Sequence, residues 1–202
     1  MLEDVLNVLA RGGMVLIPIF VIAQIGWYFV FERLWHLKKM ASPQKGFWRS
    51  APGSAAELRD FIKERRQPGI FGTVAGKIAA VCGEGEKAMV HTAREILNER
   101  VPGMQKHLST IAVLAGSAPL LGLLGTVTGM VTTFKIITQY GVGNPAMMAE
   151  GISEALLTTQ AGLIVGFPLV LMHNYLLNRA DEIEDQCIAG TTRLINGLRG
   201  IG

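Results

Sequence analysis

The amino-acid sequence predicts an all-α integral membrane protein, with three transmembrane helices that extend into a cytoplasmic helical bundle. Three observations carry this. The chain of 202 residues is 50% hydrophobic and only 17% charged, where a soluble domain carries about a quarter charged residues. Charge is absent from three long stretches, residues 13–31, 109–134 and 155–178, and crowded between them. Each stretch can cross ~30 Å of hydrocarbon at a rise of 1.5 Å per residue. A backbone in lipid must satisfy its polar groups internally, so each is expected to be a helix.

In chain order the organisation is an external N-terminus (1–12), a first transmembrane helix (13–35) and a cytoplasmic helical loop (36–107). A second transmembrane helix (108–138), an external turn (139–147), a third transmembrane helix (148–178) and a cytoplasmic C-terminal tail (179–202) follow. The first span is flanked by Glu3 and Asp4 rather than a basic region. It ends in Glu32-Arg33 without a small-residue cleavage site, so it is expected to remain in the mature protein. Orientation follows from lysine and arginine. The segment from His36 to His107 holds 13 of the 19 basic residues; with Arg33, Arg179, Arg193 and Arg199, one side of the membrane carries 17. The other carries Arg11 and Lys135, which places loop and tail inside. Lys38 and Lys39 are the best-placed anchors, and Trp27 and Trp35 bracket the inner end of the first span. Cys82 and Cys187 then share a reducing compartment, and no disulfide is expected.

Within the loop, Ser42-Pro43 and Ala51-Pro52-Gly53 are breaks. Ser54 with Glu57 resembles a capping box that opens a helix to Arg66, closed by Gln67-Pro68-Gly69. A second helix is expected from about Glu84 to Arg100, with Val90, Ala93, Ile96 and Leu97 on one face. Val101-Pro102-Gly103 should interrupt or kink the passage into the second span. No metal-ligand spacing, P-loop or nucleophile elbow occurs. An enzyme is not expected, and neither a cofactor, a metal nor a nucleic-acid partner is implied.

The second and third spans carry the functional signal. Ala118, Gly122, Gly125 and Gly129 form one small-residue stripe; Gly151, Ala155, Gly162 and Gly166 form another. Such stripes let helix backbones approach closely where no hydrophobic effect drives association. They serve either packing of the two spans as a hairpin or packing between subunits around an axis. Counting outward from Gly143 in the turn, Thr126 lies 17 residues before it and Thr159 lies 16 after it, so both should sit near mid-membrane at one depth. Pro119 and Pro168 should likewise be level, and Thr132 and Thr133 should face Glu154. These threonines either bond back to their own helices or form a wet interior surface. Glu154, an ionisable group in the outer part of the third span, is either an interfacial residue at a helix start or part of an ion path.

The run from Ala118 through Gly122-Leu123-Leu124-Gly125-Thr126 to Gly129-Met130 resembles the second-span signature of the MotA/TolQ/ExbB proton-channel family. Gly151-Ile152-Ser153-Glu154-Ala155-Leu156-Leu157-Thr158-Thr159 with Ala161-Gly162-Leu163 resembles its third-span signature. The layout is similar to the three-span ExbB/TolQ branch. The resemblance implies a proton-motive-force-driven motor subunit of the bacterial inner membrane, assembled as a homopentamer around a pore. It implies a single-span partner similar to ExbD or TolR that carries the proton-binding aspartate, and beyond it a TonB- or TolA-like protein. Thr126 and Thr159 match the family's pore threonines and Glu154 its outer glutamate. Thr158 departs from the alanine common in the family, and its extra hydroxyl is expected to be neutral.

Overall fold

The computed structural model describes residues 13–40, 70–141 and 145–199. Five α-helices make up the described chain: α1 (Gly13–Met40), α2 (Ile70–Val81), α3 (Glu86–Gln105), α4 (Leu108–Tyr140) and α5 (Pro145–Arg199). A 3-10 turn, Cys82–Glu84, joins α2 to α3. Among these residues every element is helical, and three helices are long and apolar enough to cross a membrane. The protein is a multi-pass membrane protein with the all-α fold expected. The proposed capping box at Ser54 and helix to Arg66 lie outside the described residues. The chain divides into two compact units, Met1–Phe31 with His107–Tyr175, and Glu32–Lys106 with Leu176–Gly202.

The first unit is built inside out by the standards of a soluble protein. Where α4 meets α5 its interior is small: Ala115, Ala118, Gly122, Gly125 and Gly129 of α4 are buried, as are Gly151, Ala155, Gly162 and Gly166 of α5. Its exterior is large and apolar, with Leu120, Leu123 and Phe134 of α4 and Leu156, Ile164 and Phe167 of α5 exposed. Lipid solvates leucine as well as a protein core does, so α4 and α5 meet through surfaces whose gain is close backbone contact, while Ile19, Ile111 and Leu169 fill the larger gaps of the unit. The first span joins through a notch. A β-carbon on Gly26 of α1 would lie 2.8 Å from a methyl of Leu169, whose side chain is fully buried.

Pro18, Pro119 and Pro168 all sit inside helices, as membrane helices tolerate when neighbours cover the altered backbone. Gly166 covers Pro119: a β-carbon there would fall 2.6 Å from the ring. Pro119 is therefore opposite Gly166, which sets Pro168 two residues, ~3 Å along the axis, from its level.

The second unit is amphipathic in the ordinary way. Val74, Ala75, Ile78 and Ala79 of α2 are buried, a helix that sequence patterning left unassigned because its Gly72, Gly76 and short apolar run carry no strong period. In α3, Met89, Ala93, Ile96 and Met104 are buried, while Glu95 and Glu99 are exposed. Helix α3 runs through Pro102 to Gln105, so the expected interruption at residues 101–103 falls later, at Lys106–His107. A proline removes one helical hydrogen bond and bends the axis, but the turn after it can continue. His107 ends the run with φ 63, a left-handed conformation uncommon outside glycine, and its ring stands 4.9 Å from that of Phe29. Gly103, in the last turn of α3, receives a hydrogen bond on its carbonyl from the Arg33 guanidinium at 3.1 Å. A cation there complements the negative end of the helix. Arg33 is only 2% exposed, far more buried than a charge that merely flanks a span needs to be.

The C-terminal segment was expected as a tail. It is helical and continues α5 without a break to Arg199. Leu176, Ala180, Ile183, Cys187, Thr191 and Leu194 are buried along it at alternating steps of about three and four residues, a helical face. Burial, then the neighbouring Glu184 charge, pushes the Cys187 thiol up to about 12.

Candidate functional site

Helices α4 and α5 form a tight antiparallel hairpin, and the small-residue stripes are where they meet. A β-carbon on Gly162 would lie 2.7 Å from the Ala118 carbonyl oxygen and 3.0 Å from the Gly122 Cα. One on Gly122 would lie 3.0 Å from the Thr158 carbonyl oxygen, and one on Gly129 would lie 2.8 Å from both the Gly151 carbonyl oxygen and the Ala155 Cβ. The space beside Gly125 is filled by the Thr158 side chain, and the space beside Gly151 by the Thr133 hydroxyl. Within one chain, then, Ala118, Gly122, Gly125, Gly129, Gly162 and Gly166 line the hairpin seam. Thr158 is the residue whose importance the sequence did not reveal. It is 1% exposed and donates to the Ala155 carbonyl at 2.9 Å and the Glu154 carbonyl at 3.2 Å. Its methyl and hydroxyl are a knob in the Gly125 hole. A neutral role does not fit that position.

The threonines divide into two kinds. Thr126 donates to Leu123 O at 2.6 Å, Thr128 to Gly125 O at 3.0 Å, Thr132 to Thr128 O at 3.1 Å and Thr133 to Gly129 O at 3.1 Å. All of these are bonds within the threonine's own helix, the pattern common in membrane segments. Thr159 instead crosses the seam and donates to the Gly122 carbonyl at 3.1 Å. Both Thr126 and Thr159 are half-buried, and each hydroxyl oxygen keeps lone pairs able to accept a further proton donor. The packed pairs place Gly125 opposite Thr158 and Gly129 opposite Ala155. In that register Thr126 and Thr159 are displaced by about two residues, ~3 Å along the axis. Thr133 is buried in the seam near Gly151, whereas Thr132 is exposed.

Glu154 is half-buried near the start of α5, one turn before the seam residue Thr158. Its carboxylate rests on Gly13, the residue with φ +65 that opens α1. The described part of this unit holds two further Lys, Arg, Asp or Glu residues, Lys135 and Glu150, both exposed and nearer the turn. No group of three metal-ligating side chains occurs among the described residues. The arrangement offers a pair of hydroxyls and, nearer the α4–α5 turn, one carboxylate, which can order water or a carboxylic partner.

The model of the MotA/TolQ/ExbB proton channel family matches residues 77–188, which include α3, α4 and most of α5. A biopolymer transport protein ExbB homolog of Methanothermobacter thermautotrophicus is 30% identical over 187 residues, covering 90% of this chain and 66% of that protein. The ExbB1 protein of Vibrio cholerae is 28% identical over 179 residues, 84% of this chain and 77% of its own. The Tol-Pal system protein TolQ of Haemophilus influenzae is 32% identical over 88 residues, 44% of this chain and 39% of that protein. The archaeal match spans just under two thirds of its relative's length. With two seam-forming spans carrying both signatures and the family model covering more than half of the residues, this chain belongs to the MotA/TolQ/ExbB proton channel family, in its ExbB/TolQ branch.

Proposed function

We propose that the chain is the ExbB-like stator and channel subunit of an inner-membrane motor driven by the proton-motive force. Its loop and C-terminus face the cytoplasm and its α4–α5 turn the periplasm. Copies of the chain surround a pore, as a pentamer, and the pore receives the transmembrane helices of an ExbD/TolR-like partner. The proton is carried by the partner's aspartate, because among the described residues of the α4–α5 hairpin Glu154 is the carboxylate nearest the Thr126–Thr159 level and still lies about one turn outside it. The two hydroxyls orient water or that aspartate during transfer. A TonB-like protein receives the work. One charge crossing 100 mV releases ~2.3 kcal/mol, so several protons are needed for each mechanical step.

The observation that carries this reading is the seam itself. Close backbone packing holds the pore-threonine pair within ~3 Å of one height, on a hairpin too tightly closed to admit water between its own helices. The hydroxyls can therefore meet water only on the hairpin's outer faces. TolQ-like service in envelope constriction is the second reading, favoured by the Haemophilus TolQ match; ExbB names predominate among the relatives.

The test is a Thr126→Val, Thr159→Val double variant, which keeps shape and removes both hydroxyls. Proton-driven complementation should fall on the order of tenfold or more, with expression and assembly retained. Normal activity in that variant would remove the threonines from the pathway. Glu154→Gln should be milder than the double variant if Glu154 shapes access, and equally severe if it relays protons.

A further inference from the structure

We infer that Gly13 is a positioning residue for Glu154: the first span holds that carboxylate at the outer end of the hairpin, through a seat that only a glycine leaves open. This rests on the pathway role proposed for Glu154 and extends it to a second helix.

Two features of Gly13 support the assignment. Its φ of +65 lies where L side chains are strained. The volume that a β-carbon would take is already occupied by the Glu154 carboxylate, with the carboxyl carbon 2.6 Å and Cγ 3.4 Å from that point. The contact is therefore with the functional end of the side chain, not with its stem. Gly13 opens α1, where the helix dipole presents partial positive charge to an anion. On its other side Glu154 is tied to the seam, because its carbonyl accepts the Thr158 hydroxyl at 3.2 Å. The α5 backbone is thus fixed by the knob at Gly125 while the carboxylate is fixed by α1. Gly26 against Leu169 holds the same two helices together three and a half turns further along α1. A displacement of α1's outer end would move the carboxylate relative to the Thr126–Thr159 level without disturbing the hairpin.

Gly141 provides a matched control. Its φ is +66, and no atom lies within 4 Å of where its β-carbon would stand. Gly141→Ala therefore places a side chain at a positive φ, as Gly13→Ala does, without the collision. In detergent-purified full-length protein, Gly13→Ala should lower the apparent melting temperature by about 3 °C or more beyond Gly141→Ala. That excess should vanish when both substitutions are compared in a Glu154→Ala background. In cells producing the chain with an ExbD/TolR-like partner, Gly13→Ala should reduce proton-driven activity at least fivefold, with the oligomer intact by native mass spectrometry. Glu154→Asp, which withdraws the carboxylate by one methylene, should restore part of that activity only in the Gly13→Ala background. Equal effects of Gly13→Ala and Gly141→Ala in both assays, or no rescue by Glu154→Asp, would overturn the positioning role. Wild-type activity of Glu154→Gln would instead overturn the pathway role of Glu154 and leave the melting comparison to decide the contact.

Discussion

Gly162→Ala tests the hairpin seam with a single methyl group. The new β-carbon would stand 2.7 Å from the Ala118 carbonyl oxygen, 3.0 Å from the Gly122 Cα and 3.2 Å from the Gly122 nitrogen. All three are backbone atoms of α4, so no side-chain rotation can make room. Restoring ordinary contact at 3.4 Å requires a local separation of about 0.7 Å between the helices. The Thr159–Gly122 hydrogen bond, now 3.1 Å, would then stretch to about 3.6–3.8 Å, beyond useful length. Overpacking costs ~1–3 kcal/mol, and the lost interhelical bond adds ~0.6 kcal/mol. Alanine's better helix propensity returns ~1 kcal/mol. The balance is a destabilisation of ~1–2.5 kcal/mol, or about 2–10 °C in melting temperature for a chain of this size. Gly116→Ala is the control on the same hairpin, because nothing lies within 4 Å of its β-carbon; it keeps the propensity gain and loses nothing. Thermal unfolding of both purified variants in one detergent is the assay. A melting temperature for Gly162→Ala at or above that of Gly116→Ala would refute the account of the seam.

Gly151→Ala should also destabilise, because its β-carbon meets the Thr133 hydroxyl, but the next atoms lie 3.3 and 3.4 Å away. Thr133→Ala should therefore rescue it, with a coupling of about 1 kcal/mol in a double-mutant melting cycle; additive effects would contradict the packing. Cys187, buried with its thiol raised to about 12 from an ordinary 9.0, should alkylate slowly between pH 7 and 9 in native protein and quickly once unfolded. The folded state holds this proton more tightly than the unfolded one, so its contribution to stability is full below pH 9 and lost as pH rises towards 12. Mass-spectrometric thiol labelling across pH checks both, and rapid native labelling at pH 7 would count against burial. Arg33→Ala removes a buried side chain and the bond to Gly103 O. It should cost ~2 kcal/mol, and Arg33→Met, which keeps the stem, about half as much in the same melting assay.

The buried state of Cys187 changes how orientation can be measured. Both native thiols were expected on the cytoplasmic side, but a thiol 1% exposed is silent to an impermeant reagent from either side. A cysteine introduced at exposed Glu182 or Arg193 serves the purpose; labelling of either in intact cells would reverse the proposed topology.

Sequence alone determined the solvent of this protein and the location of its signal. Three charge-free runs can be satisfied only as helices in lipid, because hydrocarbon offers the backbone no other hydrogen-bond partner. The glycine and alanine stripes and the two signature motifs were legible because spacing along a helix fixes which residues share a face. Tertiary structure decided what those faces touch. Periodicity treats packing within a chain and packing between subunits alike; only the approach of Gly162 to the Ala118 carbonyl assigns the stripes to the hairpin. Counting from an assumed turn centre carried an error of one to three residues, which is why Pro119 lies opposite Gly166 and Thr158 opposite Gly125. Arg33 capping Gly103, Leu169 in the Gly26 notch and the Glu154 carboxylate on Gly13 join residues 70 or more positions apart. No local pattern encodes such contacts, since each is fixed by where separate helices meet in three dimensions.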